Sequence, residues 1–268
     1  MNQIGFCNRN GIHPAPIPPV GAPRSAVPRK SVVQVRFPGY GIPLTYYNDS
    51  FDLRNGDLVN VEGKMSGIRG RVVDISYNFK IKLSEYKRII ALIDTDIHGT
   101  FFFAGSHFIT FDPAVLPPEK IRAWFLTDTE DEEYASGNDG TAFPLDDLNG
   151  MKIAPQIAER GHDYYMNNHI KYLSINGTRG YSIVEGAKPY EVEFEYCNGI
   201  IKNLTCSCFC SYNCKHTFAA MLQLKETLEL IEKHYGDKYS ASGCFAAVSK
   251  DTLFCVAIDG KETGSLTL

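Results

Sequence analysis

Cys206, Cys208, Cys214 and His216 put three thiols and an imidazole within eleven residues. Soft sulfur and borderline nitrogen donors at that density suit a tetrahedral zinc ion, held at about 2.0–2.3 Å. Residues two apart on a strand point to the same side, so Cys206 and Cys208 can face one ion. Cys214 and His216 lie where the chain turns into a long helix, whose apolar stripe runs through Phe218, Met221, Leu224 or Leu222, Leu228, Ile231 and Tyr235. The partial positive charge of a helix N-terminus favours thiolates there. A Cys3His set fills all four positions and leaves none for a substrate water, which marks a structural site rather than a catalytic one. Cys210 shares the strand parity of Cys206 and Cys208, so spacing alone leaves open whether it belongs to the set.

The other cysteines do not turn this cluster into a disulfide framework. Of eight, Cys206, Cys208, Cys210 and Cys214 crowd one segment, while Cys7, Cys197, Cys244 and Cys255 are scattered. Disulfide frameworks belong to short secreted chains. The opening Met1-Asn2-Gln3-Ile4-Gly5 has no charged region leading into an apolar stretch, so no secretory signal is expected. The longest apolar runs, such as Ile89–Ile93, fall short of the ~18–20 residues that span a bilayer. A reducing cytoplasm is the expected location, with no membrane partner. A net charge of −4 over 268 residues gives no global attraction to nucleic acid, so any such contact needs a local basic patch.

An α+β chain of several parts is expected. Residues 1–30 are rich in Pro and Gly, with four basic residues and no acidic ones, and read as a flexible tail. Residues 31–125 read as a β-rich, barrel-like domain, in which glycines separate short alternating runs such as Val32–Phe37 and Leu58–Gly63. Its Gly56-Asp57-Leu58-Val59-Asn60-Val61 and Gly67-Ile68-Arg69-Gly70-Arg71-Val72 resemble the strand-turn-strand of KOW or SH3-like barrels and the first module of PSP1-type bacterial proteins. Residues 126–150 carry eight carboxylates and no Lys or Arg, and read as an acidic linker kept extended by repulsion. In residues 151–236, Pro155 opens a helix. A meander follows, with turns at Asn176-Gly177 and Asn198-Gly199, and Asn-Gly between alternating runs is a strong hairpin signal. Residues 237–268 form an extension whose secondary structure the pattern does not decide.

The cluster, its preceding meander and its following helix resemble the SWIM-type zinc finger in its bacterial version. Arg160-Gly161-His162-Asp163-Tyr164-Tyr165, Val184-Glu185-Gly186, Pro189-Tyr190-Glu191-Val192 and Asn213-Cys214-Lys215-His216-Thr217-Phe218 carry the likeness, over about residues 155–230. The resemblance implies Cys206, Cys208, Cys214 and His216 as zinc ligands, with Cys210 an onlooker. The five-residue gap between Cys208 and Cys214 lies at the short end of the family's range. SWIM modules occur in chromatin-remodelling-type helicases, transposase-like proteins and ubiquitin ligases, and are taken to contact DNA or other proteins. The likeness therefore implies a binding module rather than an enzyme. No phosphate-cradling Gly-x-x-x-x-Gly-Lys-Ser/Thr loop is present.

Two further sets of residues invite a functional reading. Arg69, Arg71, Lys80, Lys82, Lys87 and Arg88 fall within twenty residues, interleaved with Tyr77, Phe79 and Tyr86, a combination that can neutralise phosphates and stack bases. Lys80 and Lys82 would share one strand face, with Phe79, Ile81 and Leu83 on the other; a solvated outer face gives the same pattern. DNA or RNA is thus one partner class, and a second protein is the other, favoured for the meander by Glu185, Glu191, Glu193 and Glu195. Asp94, Asp96 and His98 would lie at alternate positions of a strand, with His107 and Asp112 to complete the set, and could hold Mg2+ or Mn2+ for phosphodiester cleavage. A strand running out into Gly99 gives the same string. Trp124 is expected to anchor the end of the first domain's core.

Overall fold

A computed structural model of the chain describes residues 3–7, 24–25, 27–127, 142–210, 213–261 and 263–267. Strands and helices are both present, in an α+β arrangement with antiparallel sheets. Two compact units emerge: Met1–His98 with Leu126–Glu130 and Phe254–Leu268, and Gly99–Phe125 with Asp131–Leu253. No helix among the described residues is long and apolar enough to cross a membrane.

In the first unit, β1 (Gln3–Cys7) pairs with β15 (Thr263–Thr267). A five-stranded sheet is built from β2 (Ser31–Arg36), β3 (Leu44–Asn48), β4 (Leu58–Val61), β5 (Gly70–Ser76) and β6 (Ile89–Ile93), in the order β3-β2-β5-β4-β6. Alternation along β2 buries Val33 and Val35, which meet Phe37, Tyr46, Val59 and Val72 in one cluster. The edges of this sheet approach each other, since the Tyr47 N–H donates to the Lys87 carbonyl at 2.9 Å. The tail differs from the sequence reading, and the extension, whose pattern decides nothing, supplies its partner strand. Residues 3–7 form a strand, and Arg24 is tied by two 2.9 Å contacts to the Asp57 carboxylate. Pairing across more than 250 residues leaves no trace in local pattern. Residues 8–23 of the expected tail lie outside the described residues.

The second unit holds an eight-stranded sheet. Its members are β7 (Phe102–Ala104), β8 (His107–Thr110), β9 (Ala142–Pro144), β10 (Ile170–Asn176), β11 (Arg179–Glu185), β12 (Pro189–Cys197), β13 (Ile200–Cys206) and β14 (Cys244–Ser249). They run in the order β7-β8-β14-β10-β11-β12-β13-β9. The meander β10–β13 forms both expected hairpins, the first with its loop one residue on, at Gly177-Thr178; at the second Asn198 (φ 50°) and Gly199 (φ 78°) supply the left-handed pair that a two-residue turn requires. One face of the sheet buries Leu173, Ile175, Val184, Val192, Phe194 and Phe245 against the helices. These are α2 (Pro155–Met166) and α3 (Lys215–Ser242); α1 (Pro118–Phe125) precedes them in the chain.

Three expected boundaries move. Residues 99–125 belong to the second unit, because β7 and β8 join its sheet, so buried Trp124 sits there and not in the first domain. Residues 142–150, read as acidic linker, supply β9 and the buried Phe143 and Leu145; residues 128–141 lie outside the described residues. The undecided extension contributes β14, a fully buried strand between β8 and β10.

Candidate metal centre

The end of β13 and the start of α3 position the four side chains. Cys206 closes β13 opposite Val192. Reciprocal contacts continue the pairing one residue further: the Ser207 N–H donates to the Glu191 carbonyl and the Glu191 N–H to Ser207 Oγ, both at 2.9 Å. That holds Cys208 beside Cys206. On the return, Asn213 Nδ2 donates to the Met151 carbonyl at 2.7 Å, fixing the chain just before the helix. Cys214 is then the N-cap of α3: its sulfur accepts from the Thr217 backbone, and Thr217 Oγ1 accepts from the Cys214 N–H at 2.9 Å. His216 follows in the first turn, buried at 4% exposure.

The ligand atoms of Cys206, Cys208, Cys214 and His216 all lie within 4.8 Å of one another. His216 Nδ1 is 3.8 Å from Cys206 Sγ and 3.7 Å from Cys214 Sγ. A tetrahedron with metal–sulfur near 2.3 Å and metal–nitrogen near 2.0 Å has edges of about 3.5–3.8 Å, so the spacing fits a single ion. The protonation balance agrees. The Cys214 thiol is held down to about 3 by hydrogen bonds, first from Cys206 and also from His216 and the Thr217 backbone. Cys206 is pushed up by its hydrogen bond to Cys214 and by burial, and Cys208 is pushed up to about 11, chiefly by burial. Two of the three crowded sulfurs, Cys206 and Cys208, thus retain protons that a divalent cation would displace, beside a Cys214 already held as thiolate. Cys210 is exposed and stands outside the group.

Aromatic walls hold the imidazole, and cluster spacing alone does not reveal them. Tyr190 stacks on His216 at 4.2 Å between centroids, and Tyr164 meets it edge-on at 5.5 Å. His216 Nε2 is buried without a hydrogen-bond partner, so Nδ1 is the nitrogen turned to the sulfurs. Gly161 lets α2 reach the start of α3: a Cβ there would stand 2.8 Å from Phe218 Cδ1 and 3.0 Å from the Lys215 carbonyl oxygen. Lys215 lies between two ligands, so this approach bears directly on their placement. His169 is tied by Nδ1 to the Glu185 carbonyl at 2.8 Å and stacks on Tyr164.

The basic set is dispersed. Arg71 spends its guanidinium on the Gly56, Cys255 and Asp259 carbonyls. Arg88 pairs with Asp49 and lies over the Tyr47 ring. Arg69 is half-buried, lowered to about 10 by desolvation. Lys80, Lys82 and Lys87 are exposed. The strand face expected at Lys80 and Lys82 is absent; the chain between β5 and β6 has only a short turn at Leu83–Glu85, and Lys82 pairs with Glu85 at 3.6 Å. Alternating residues without a neighbouring strand to bond cannot hold a strand.

The carboxylate set does not assemble either. β6 ends at Ile93, so Asp94, Asp96 and His98 follow it outside any strand. Asp94 Oδ1 accepts from the Asp96 N–H, and Asp96 pairs with Lys261 at 3.2 Å. His107 is fully buried with both nitrogens engaged, on Ser106 Oγ and the Ile170 carbonyl, and Asp112 caps the Ala114 N–H. Among the described residues, the group whose Cys, His, Asp or Glu ligand atoms converge for an ion is the Cys3His set.

Comparison with known proteins adds little to this geometry. No protein-family model matches the chain, and no solved structure matches it. A 69-residue stretch is 36% identical to the uncharacterized protein MJ1493 of Methanocaldococcus jannaschii, covering 26% of this chain and 29% of that protein.

Proposed function

We propose that this chain is a SWIM-type zinc protein whose ion is structural and whose work is binding, to nucleic acid or to a protein, without catalysis of its own. The observation that carries this reading is the convergence of three sulfurs and one ring nitrogen between a strand end and a helix cap. Four protein ligands complete zinc's tetrahedron, so the ion's contribution is cross-linking rather than Lewis-acid chemistry. Tyr190, Tyr164 and the Thr217 cap support the ligands from behind, as outer partners do in metal sites.

The choice of partner is open to a direct test. Exposed Lys80, Lys82 and Lys87 are the cations left for phosphate contacts in the loop before β6. The exposed glutamates of β12 favour a protein instead. A gel-shift assay at low salt with single-stranded DNA, duplex DNA and RNA separates the two, using wild type and the Lys80→Glu/Lys82→Glu variant. Binding that weakens several-fold in the variant supports nucleic acid; binding unchanged by the substitutions removes that loop, and no binding leaves the protein partner.

A further inference from the structure

The metal centre and helices α2 and α3 belong to one face of the eight-stranded sheet. The other face carries a cleft of about 670 Å3, within the ~300–1,000 Å3 usual for ligand pockets. Tyr172 and Ser174 of β10, Tyr181 of β11 and Ala246 of β14 line it from the sheet. The opposite wall is the segment leading into α1, with Pro113, Leu116, Pro117 and Pro118. That wall is clamped on, since Tyr172 Oη donates to the Leu116 carbonyl and Arg122 pairs with Glu191 at 2.8 Å. The cleft is therefore built by packing, and its residues are drawn from five strands and α1.

Its chemistry is one-sided. Glu119, Glu193 and Glu195 line it against one cation, Arg179, which stands directly across from Glu195 in the β11–β12 register. Glu191, the next carboxylate on this face, is neutralised by Arg122 and accepts from Tyr181 Oη at 2.7 Å, so it is not part of the excess. Prolines have no N–H to offer, and the Asn203 Oδ1 of the same lining is buried with no donor. An unsatisfied buried acceptor is costly, and a donor from a ligand or water recovers that cost. Among the charged side chains of the lining, three carboxylates face one cation, beside apolar and aromatic residues; Lys202, across from Glu195 in the β12–β13 register, is not part of the lining.

We propose that this cleft binds an alkylammonium or guanidinium group on an apolar stem, supplied by a free polyamine or by a lysine or arginine side chain of a partner peptide. The inference needs neither the zinc nor the SWIM reading, because the cleft is on the sheet face away from the ligands. Isothermal titration of the full chain with spermidine, and separately with a short Lys/Arg peptide, tests it. At least one probe binds saturably, and the one that does identifies the source. The Glu193→Gln/Glu195→Gln variant weakens that binding about tenfold or more, the scale of one lost charged contact near 1.4 kcal/mol. Removing the same charge from exposed α3 positions, in Glu229→Gln/Glu232→Gln, leaves it unchanged, and Arg179→Gln tightens it. Fluorescence of Trp124 verifies that each variant keeps its fold. Failure of both probes to saturate, or equal losses in the cleft and α3 variants, overturns the proposal.

Discussion

His107 makes the stability of the second unit depend on pH in a way that can be worked from its surroundings. It sits on β8 with no exposed surface; Nε2 faces the Ile170 carbonyl at 2.9 Å and Nδ1 faces Ser106 Oγ at 3.0 Å. The neutral ring satisfies both contacts, donating to the carbonyl and accepting from the hydroxyl. Burial pushes its pKa down to about 4, below the ordinary 6.5. An unfolded chain therefore takes up a proton near pH 6.5 that the folded chain refuses until about 4. Between those values the unfolded state binds more protons, so stability is full above 6.5 and falls as pH drops. At ~1.4 kcal/mol per pH unit, the gap amounts to about 3 kcal/mol lost by pH 4. Urea unfolding followed by Trp124, the single tryptophan and a buried residue of this unit, reads the effect between pH 7.5 and 4.5. His107→Asn lowers stability at neutral pH but flattens the slope, and the difference between the two profiles isolates this ring from the acid response of the thiol cluster. A difference that stays constant with pH refutes the neutral, buried histidine.

Three other substitutions probe the support and membership of the cluster. Gly161→Val drives a side chain into Phe218 and the Lys215 carbonyl; overpacking of that kind costs about 1–3 kcal/mol and is expected to lower both the thermal midpoint and the zinc affinity. A midpoint and affinity equal to wild type would show that α2 can move away freely. Cys208→Ser is expected to weaken zinc retention against a competing chelator by at least an order of magnitude, whereas Cys210→Ser, at an exposed position outside the group, leaves it unchanged. The reverse ranking would exchange the two in the ligand set.

Local chemistry was legible and distant pairing was not. The hairpin turns of the meander, the Pro155 helix start and the four converging side chains follow from spacing and period, because each depends on neighbours within a few residues. β14 is buried at all six positions, so Cys244–Ser249 lacks the polar alternation that marks a half-exposed strand. β1 has its partner at the far end of the chain, and β7 and β8 leave the preceding strands to join a sheet made mostly by later residues. At Lys80 and Lys82 the error ran the other way: alternation was present, but no strand lay alongside to satisfy the backbone. The walls of the metal centre fall between these cases. Tyr164, Tyr190 and Gly161 come from α2 and β12, and only the folded chain brings them around His216.

Metal analysis of protein purified without chelators tests the structural-zinc account most directly, with Trp124 fluorescence and near-ultraviolet circular dichroism recorded before and after zinc is stripped. The account expects one zinc per chain, lost in Cys214→Ser, and a loss of fixed side-chain packing in the second unit once the ion is removed. Protein that carries no stoichiometric metal, or that keeps its full spectrum after stripping, would contradict it.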